Sequence, residues 1–375
     1  MEPLGTDVLP QGVRARFVDG INGLRMHVLE AGEPGRPCVL LLHGFPELAY
    51  SWRKVMVPLA EAGFHVVAPD QRGYGRTTGW DAAYDGDLMP FRHFNVVRDA
   101  LGLVLALGHK NVACVVGHDF GSPIAAWCGV VRPDVFRSVV LMSAPFAGPP
   151  AIGAPRAPGD IHAELAALDR PRKHYQWYYG TRAANADMWH CPQGVHDFLR
   201  AYYHHKSADW VGNKPYPLAE WSATELAKMP TYYIMDRDRN MAETVAVEMP
   251  TPAEIAANGW LTEAEMRIYS GEYARTGFQG GLQWYRTRIV GGVNTDQEVF
   301  AGRTLDVPSC FIGGASDWGT YQRPGDVERM RSAACTRMSG VHLVPGAGHW
   351  VQQEQPGEVT RLLLEFLRTE ARVAP

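Results

Sequence analysis

Short apolar runs alternate with longer amphipathic stretches over most of this chain, and this alternation limits the folds that it can adopt. The apolar runs predict strands buried on both faces, at Cys38–Leu42, His65–Ala68, Val112–Val116, Ser138–Met142, Ser309–Ile312 and Val341–Val344. The amphipathic stretches predict helices at Trp52–Ala62, Phe94–Leu107, Pro123–Val131 and Glu358–Arg372. Because neighbouring parallel strands are joined by helical crossovers, the pattern predicts an α/β fold, with helices on both faces of a mostly parallel sheet. Residues 25–30 predict an antiparallel strand near the start.

The alternation stops between about residues 145 and 307, where the chain becomes aromatic and helix-like. Prolines, among them Pro155 and Pro158, mark the beginning of this stretch. The sequence therefore predicts one α/β domain that a helical insertion interrupts. The predicted division is a first core part, residues 1–145, the insertion, residues 146–306, and a second core part, residues 307–375.

Composition argues against several classes of protein. The net charge of −4 leaves no basic surplus to neutralise phosphates, so no nucleic-acid partner is expected. No apolar run approaches the ~20 residues that a membrane helix needs, and the first residues lack the basic and apolar segments of a signal peptide. We therefore expect neither a membrane span nor a signal peptide. The six cysteines form no CxxC pair, which favours reduced core thiols in a cytoplasmic protein.

Residues 117–121 (GHDFG) carry the strongest local signal for chemistry. They lie between a predicted strand and a predicted helix, where glycines permit the tight turn of a nucleophile elbow, which presents its central side chain to solvent. That side chain is Asp119, at a position where many hydrolases have serine. The following helix N-terminus favours an anion. Taken alone, the motif has a second interpretation, a glycine-rich turn with an aspartate cap.

Residues 43–47 (HGFPE) follow the predicted strand Cys38–Leu42. A loop at this place in such a sheet supplies one backbone N–H to an oxyanion hole, and the residue after the nucleophile supplies another. The two donors would be the N–H groups of Phe45 and Phe120. The Phe45–Pro46 bond is a candidate cis peptide.

Asp317 and His349 also follow predicted strands, within residues 313–318 (GGASDW) and 345–350 (PGAGHW). The order nucleophile, acid, histidine along the chain is that of α/β-hydrolases. A single Asp or His in a loop is usually a solvated or capping group. Three of them, each at the carboxyl end of a separate parallel strand, favour a catalytic triad.

On these residues the chain resembles the α/β-hydrolase-fold epoxide hydrolases, over about residues 13–370. The motifs that carry the resemblance are residues 43–47, 70–75 (DQRGYG), 117–121, 276–286 (TGFQGGLQWYR) and 348–350 (GHW), together with Asp317. The resemblance implies an α/β-hydrolase fold with a mostly parallel eight-stranded sheet, in which the insertion is a helical cap. It implies an enzyme that converts an epoxide and water into a vicinal diol, with neither a metal nor an organic cofactor.

The aspartate itself narrows the chemistry. Attack of a carboxylate on a saturated carbon forms an alkyl ester, which water can cleave at a carbonyl beside the oxyanion hole, whereas serine would form an ether with no carbonyl. Asp119 therefore favours the opening of an epoxide or the displacement of a halide over ester or peptide hydrolysis. An opening epoxide needs a proton, which a tyrosine can donate because its reference pKa is about 10.

The resemblance implies two such tyrosines in the cap. Tyr285 matches the second of them, and Tyr175 matches the first, with Tyr178 and Tyr179 as alternatives. His349, oriented by Asp317, would activate the water that cleaves the ester. The predicted substrate contacts are His43, Pro46, Trp177 and Trp350. The aromatic cap favours an apolar or aromatic epoxide, and the oligomeric state stays open, a homodimer included.

Two other functions remain alternatives. A haloalkane- or haloacid-type dehalogenase would use the same nucleophile, but those enzymes usually carry Trp or Arg where this chain has Phe120. A small-molecule-binding protein on the same fold, without turnover, is the alternative from another class, although such proteins tend to lose a triad member. Diol formation, halide release and binding without turnover distinguish the three.

Overall fold

An eight-stranded sheet forms the centre of the protein, whose computed structural model describes residues 1–153 and 160–370. The strands of the protein are β1 Val13–Ile21, β2 Leu24–Ala31, β3 Cys38–Leu42, β4 His65–Pro69, β5 Cys114–His118, β6 Val139–Met142, β7 Arg172–His174, β8 Ile234–Asp236, β9 Ser309–Gly314 and β10 Met338–Val344. The order in the large sheet is β1-β2-β4-β3-β5-β6-β9-β10. Strand β2 pairs antiparallel with β1 and β4, and the other pairs are parallel. The predicted fold class is confirmed.

Helices cover this sheet and fill the segment between β6 and β9. Their bounds are α1 Arg53–Glu61, α2 His93–Ala106, α3 Gly121–Val131, α4 Ile161–Ala166, α5 Tyr175–Tyr179, α6 Ala183–Trp189, α7 Gly194–Lys206, α8 Ala223–Leu226, α9 Met241–Ala246, α10 Pro252–Ala257, α11 Glu263–Thr276, α12 Gln279–Ile289, α13 Asp326–Arg329, α14 Val351–Glu354 and α15 Pro356–Thr369. Helix α1 packs with α15, and α2 packs with α3. Every residue of β3, β4, β5 and β6 is buried, as expected of parallel strands between helical layers.

Two of the strand predictions need correction. The segment Val341–Val344 was predicted to be buried on both faces, but β10 is the last strand of the sheet and Leu343 is 39% exposed. The predicted strand Val112–Val116 is displaced by two residues from the observed one. Strand β5 begins at Cys114 and continues to His118, the residue before Asp119. The antiparallel strand predicted at residues 25–30 lies within β2.

The sequence predicts a helical insertion, but the structure also contains two short strands in this segment. Strands β7 and β8 pair antiparallel, with His174 opposite Ile234. The division into a core and a cap of residues 146–306 stays a prediction. Residues 154–159, with Pro155 and Pro158, and residues 371–375, with the end of the predicted helix Glu358–Arg372, lie outside the described residues.

All six cysteines lie among the described residues, where each is buried and none forms a disulfide. This agrees with the prediction of core thiols, and the cytoplasmic location stays a prediction. Within residues 1–153 and 160–370, the helices are too short or too polar to cross a bilayer.

Candidate active site

Asp119 lies in the turn between β5 and α3. Its φ of +51° is a left-handed conformation that residues other than glycine rarely adopt. The turn can be this tight because Gly117 and Gly121 have no side chain. A Cβ on Gly121 would lie 2.2 Å from the carbonyl oxygen of Leu42. The Asp119 N–H donates to the carbonyl of Met142 at 3.2 Å, which attaches the turn to β6.

The loop after β3 contacts the Asp119 carboxylate. The Phe45 N–H donates to Asp119 Oδ1 at 2.9 Å. The peptide bond between Phe45 and Pro46 is cis, as predicted. Phe120 caps the N-terminus of α3, and its ring centroid lies 4.5 Å from that of Tyr285. The structure thus brings the Phe45 donor to the nucleophile, while the role of the Phe120 N–H stays a prediction.

His349 lies between the two aspartates of the predicted triad. Its Nε2 is 3.5 Å from Asp119 Oδ2, and its Nδ1 is 3.1 Å from Asp317 Oδ1. The Gly319 N–H also donates to Asp317 Oδ1, at 2.7 Å. These contacts orient the imidazole edge-on to the nucleophile, which is the arrangement a general base requires.

The electrostatics of the site keep both aspartates ionised. Burial opposes the charge on Asp119, but the interaction with His349 outweighs it and holds the pKa of Asp119 well below its ordinary value. Burial of Asp317 is likewise outweighed by His349 and by the Gly319 N–H, so the pKa of Asp317 is lowered. Asp119 is therefore available as an anionic nucleophile at neutral pH.

Helix α12 carries Tyr285, whose ring contacts that of Phe120 next to Asp119, and the helix makes a close backbone contact with another loop. A Cβ on Gly280 would lie 2.0 Å from the carbonyl oxygen of Gly73. One turn later, the indole N–H of Trp284 donates to the carbonyl of Arg72 at 2.9 Å. The glycines of the 276–286 motif therefore allow α12 to lie directly on the 70–75 loop.

Tyr175 and Tyr285 lie together, with ring centroids 5.8 Å apart. The Tyr175 hydroxyl donates to Gln322 Oε1 at 3.1 Å. Burial and the negative charge of Asp119 raise the pKa of Tyr175, and burial, Tyr175 and Asp119 raise the pKa of Tyr285. Both phenols therefore keep their protons, as a proton donor must.

The alternative tyrosines of the same segment point elsewhere. The Tyr178 hydroxyl donates to Asp187 Oδ2 at 2.9 Å, and the Tyr179 hydroxyl donates to Tyr202 at 3.3 Å. Of the three, Tyr175 shares a cavity with Asp119. The geometry therefore favours Tyr175 as the partner of Tyr285.

That cavity has a volume of about 100 Å³. Its lining residues are Asp119, Phe120, Pro123, Ala144, Pro145, Tyr175, Gln176, Arg288, Gly319, Thr320, Gln322, Arg323 and Asp326. A larger cavity of about 270 Å³ lies between α7 and α10 and contains no triad residue. We place the site at the smaller cavity because it contains the nucleophile.

The four predicted substrate contacts do not line the cavity at Asp119. His43 is fully buried, and both of its ring nitrogens hydrogen-bond to backbone groups. The Pro46 carbonyl accepts from Tyr203, and Trp350 stacks on the Tyr203 ring at 4.1 Å. Trp177 is 39% exposed at the surface. Their side chains pack the surrounding structure or meet solvent, so the predicted contact with substrate has no geometric support.

A buried ion pair behind the site was not predicted from the sequence. Glu47 Oε2 lies 2.5 Å from His118 Nδ1, and neither side chain has any exposed surface. His118 Nε2 lies 2.7 Å from the carbonyl of His349, and Gln352 donates to Glu47 Oε1 at 2.8 Å. Both charged residues belong to motifs in the sequence, and a charge inside a buried motif is the signal that could have found them.

Glu354 fixes the loop that carries His349. Its Oε2 accepts the N–H of Ala208 at 2.8 Å and the N–H of Gly348 at 2.9 Å, and its Oε1 accepts the N–H of Trp350 at 2.9 Å. The residues on both sides of His349 are thus held by one buried carboxylate. Burial raises the pKa of Glu354 to about 8, while the three N–H donors act in the opposite direction.

Lys206, at the end of α7, adds a buried cation near the triad. Its side chain is 3% exposed, and its ammonium lies 4.9 Å from the ring centroid of Tyr233 and 5.5 Å from that of Trp350. The His349 N–H donates to the Lys206 carbonyl at 2.9 Å. Burial lowers the pKa of Lys206, against the attraction of Asp119 and Asp317.

His205, in α7, is buried between the rings of Trp210 and Tyr232, with burial lowering its pKa to about 3. In the part of the chain that the structure describes, no cluster of three or more His, Cys, Asp or Glu side chains has the arrangement of a metal site.

The sheet order and the aspartate elbow define an α/β-hydrolase-fold protein, and the comparisons agree. A family model described as the alpha/beta hydrolase fold matches residues 37–356. Epoxide hydrolase A of Mycobacterium tuberculosis is 36% identical over 94% of this chain and 96% of its own, and epoxide hydrolase B of that organism is 34% identical over 92% and 96%. The structure of an epoxide hydrolase from an endophytic Streptomyces superimposes with a TM-score of 0.74 at 34% identity, over 96% of each chain. The chain therefore belongs to the epoxide hydrolase family, as the resemblance had predicted.

Proposed function

We propose that the protein hydrolyses an epoxide to a vicinal diol through a covalent ester on Asp119. The observation that carries the proposal is the cluster of groups around Asp119. The Phe45 N–H is 2.9 Å and His349 Nε2 is 3.5 Å from the Asp119 carboxylate. Tyr175 lines the same cavity as Asp119, and the Tyr285 ring lies 5.8 Å from that of Tyr175. The Phe45 N–H at 2.9 Å makes Oδ1 the carbonyl oxygen of the ester, which leaves Oδ2 to attack the oxirane carbon.

In the first half-reaction a carbon–oxygen bond of the ring breaks as the Asp119 ester forms. Tyr285 and Tyr175 donate hydrogen bonds to the ring oxygen, and one of them transfers the proton that completes the hydroxyl. The raised pKa of both phenols means that the proton is present before reaction. No cofactor takes part in this scheme.

In the second half-reaction His349 removes a proton from water, which attacks the Asp119 carboxyl carbon. Asp317, 3.1 Å from Nδ1, stabilises the imidazolium that forms. The N–H groups of Phe45 and Phe120 bind the oxyanion. Collapse of this intermediate breaks the ester bond to the substrate, whose alkoxide takes the proton of the His349 imidazolium and leaves as the diol. The proton of the added hydroxyl returns to the tyrosinate, and the restored carboxylate contains the oxygen of water.

The walls of the cavity beside the nucleophile indicate what it accepts. Phe120, Pro123, Ala144 and Pro145 present apolar surface next to Asp119. An epoxide with an apolar or aromatic substituent is therefore the proposed substrate.

Single turnover in ¹⁸O-water tests the proposal. With enzyme in excess over styrene oxide, the label should enter the Asp119 carboxylate, found by mass spectrometry of its peptide, and be absent from the first diol. Over many turnovers the diol should become labelled. Label in the first diol would refute the covalent route, and release of halide from haloalkanes without any diol from epoxides would favour a dehalogenase.

A further inference from the structure

Two arginines lie at the rim of the catalytic cavity, where the proposed mechanism gives them no role. Arg288 comes from α12, one turn after Tyr285, and Arg323 follows the segment Trp318–Tyr321. Within residues 1–153 and 160–370, neither guanidinium lies within 4.0 Å of a carboxylate, and neither side chain donates a hydrogen bond. Both side chains are exposed to solvent, so an anionic group of a ligand in the cavity can reach two guanidinium groups that no described carboxylate of the protein occupies.

Arg288 lies next to the reacting groups. Its guanidinium carbon is 4.4 Å from the ring centroid of Phe120, the residue after the nucleophile. The packing around the guanidinium, together with the charge of Arg323, lowers the pKa of Arg288. Arg288 and Arg323 both line the same cavity of about 100 Å³, so one ligand in it can reach both guanidinium groups.

Arg323 also lines this cavity. Its guanidinium carbon lies 5.2 Å from the ring of Trp221, and the neighbouring Gln322 accepts the hydrogen bond of Tyr175. Asp326 also lines the rim; burial raises its pKa, and the charge of Arg323 opposes that shift. The two arginines outnumber the single acid, Asp326, so the rim carries a surplus of positive charge.

The nucleophile does not need these cations. Oδ1 of Asp119 accepts the Phe45 N–H, and Oδ2 lies beside His349. Arginine binds carboxylates through two parallel N–H groups, and the attraction is strong where water is partly excluded. The walls further in are apolar, so the rim and the interior favour different ends of one molecule.

We infer that Arg288 and Arg323 bind a carboxylate of the substrate, which is therefore an epoxide with an apolar or aromatic group at the ring and a carboxylate a few atoms away. The inference rests on the proposed epoxide hydrolysis and narrows its substrate class. A charge-assisted contact at this site should favour the acid over a neutral isostere by about ten- to a hundredfold.

The test uses trans-3-phenylglycidate and its uncharged amide as matched substrates. We expect kcat/KM to be about ten- to a hundredfold higher for the acid, and to fall for the acid alone as ionic strength rises. The double variant R288Q/R323Q should lower kcat/KM for the acid by about ten- to a hundredfold more than for the amide, so that the preference for the acid is lost. Arg182→Gln is the control, because Arg182 is an exposed arginine that already pairs with Asp85.

Calorimetry of the diol product and of its amide measures binding to the two arginines in the absence of turnover. Tighter binding of the acid, lost in R288Q/R323Q, supports the inference even if no epoxide is hydrolysed, in which case only the proposed function fails. Equal binding and equal turnover of acid and amide by the unaltered protein would overturn the role of the arginines and leave epoxide hydrolysis standing.

Discussion

His349 Nε2 lies 3.5 Å from Asp119 Oδ2, close enough for electrostatic contact but longer than a strong hydrogen bond. Asp317 holds the opposite nitrogen at 3.1 Å. The imidazole is thus fixed by Asp317 rather than by the nucleophile. In the proposed mechanism, the ring would therefore remain in place to activate water once Asp119 is esterified.

Replacing His349 should therefore stop the reaction at the ester intermediate. In His349→Gln we expect the ester to form at close to the normal rate, while its hydrolysis slows by about 10³-fold, because only the second step needs a base. Rapid quench and intact-protein mass spectrometry would show protein heavier by the mass of the epoxide. The assignment fails if ester formation slows as much as ester hydrolysis.

The two cap tyrosines should act on the opposite half of the reaction. Tyr285→Phe and Tyr175→Phe remove the donors to the ring oxygen, so ester formation should slow by about a hundredfold or more for each. Tyr178→Phe is a matched control from the same helix, because its hydroxyl donates to Asp187 instead. Single-turnover kinetics measure the step directly. Normal ester formation in Tyr175→Phe, with a defect in Tyr178→Phe, would reverse the assignment.

Glu354 should control His349 without touching it. In Glu354→Gln the amide NH₂ replaces an acceptor oxygen and meets a backbone N–H, so the loop around His349 loses at least one of its three bonds. We expect ester hydrolysis to slow by about tenfold or more while ester formation is retained. A purely structural role would lower the fraction of active protein without changing the ratio of the two rates. Glu358→Gln, on the exposed face of α15, is the control.

The sequence was sufficient where structure depends on continuous patterns. Strand β3 is a run of buried apolar residues, and its predicted bounds match the structure. Strand β1 was missed because Arg14, Arg16 and Asp19 interrupt its apolar residues, as an edge strand allows. The antiparallel pair of β7 and β8 has strands of only three residues, too few to show a period.

The site residues divide in the same way, into those that a sequence pattern predicts and those that it does not reveal. Asp119, Asp317 and His349 could be placed because each lies within five residues of the end of a strand, and the sheet brings the ends of these strands together. Glu354, Arg288 and Arg323 could not, because their importance depends on partners far away in the chain. The choice between Tyr175 and Tyr178 likewise depends on side-chain direction, which a run of aromatic residues does not reveal.

The buried pair of Glu47 and His118 makes stability depend on pH in a defined direction. Burial opposes both charges, but their mutual attraction lowers the pKa of Glu47 from 4.5 and raises the pKa of His118 from 6.5. The contribution of His118 is complete below 6.5 and is lost as the pH rises through its folded pKa. The contribution of Glu47 is complete above 4.5 and is lost as the pH falls through its folded pKa.

The pair should therefore stabilise the protein most in weak acid, between these limits. We expect Glu47→Gln to lower the free energy of unfolding by about 3 kcal/mol at about pH 5.5. At about pH 9 we expect the same substitution to lower it by about 2 kcal/mol. Urea unfolding of both proteins at the two pH values measures this difference, in which the titration of other groups cancels. Glu365→Gln, which removes an exposed partner of Arg361, should show no such change. If the free energies of unfolding of the two proteins differ by the same amount at both pH values, Glu47 and His118 are not held as an ion pair.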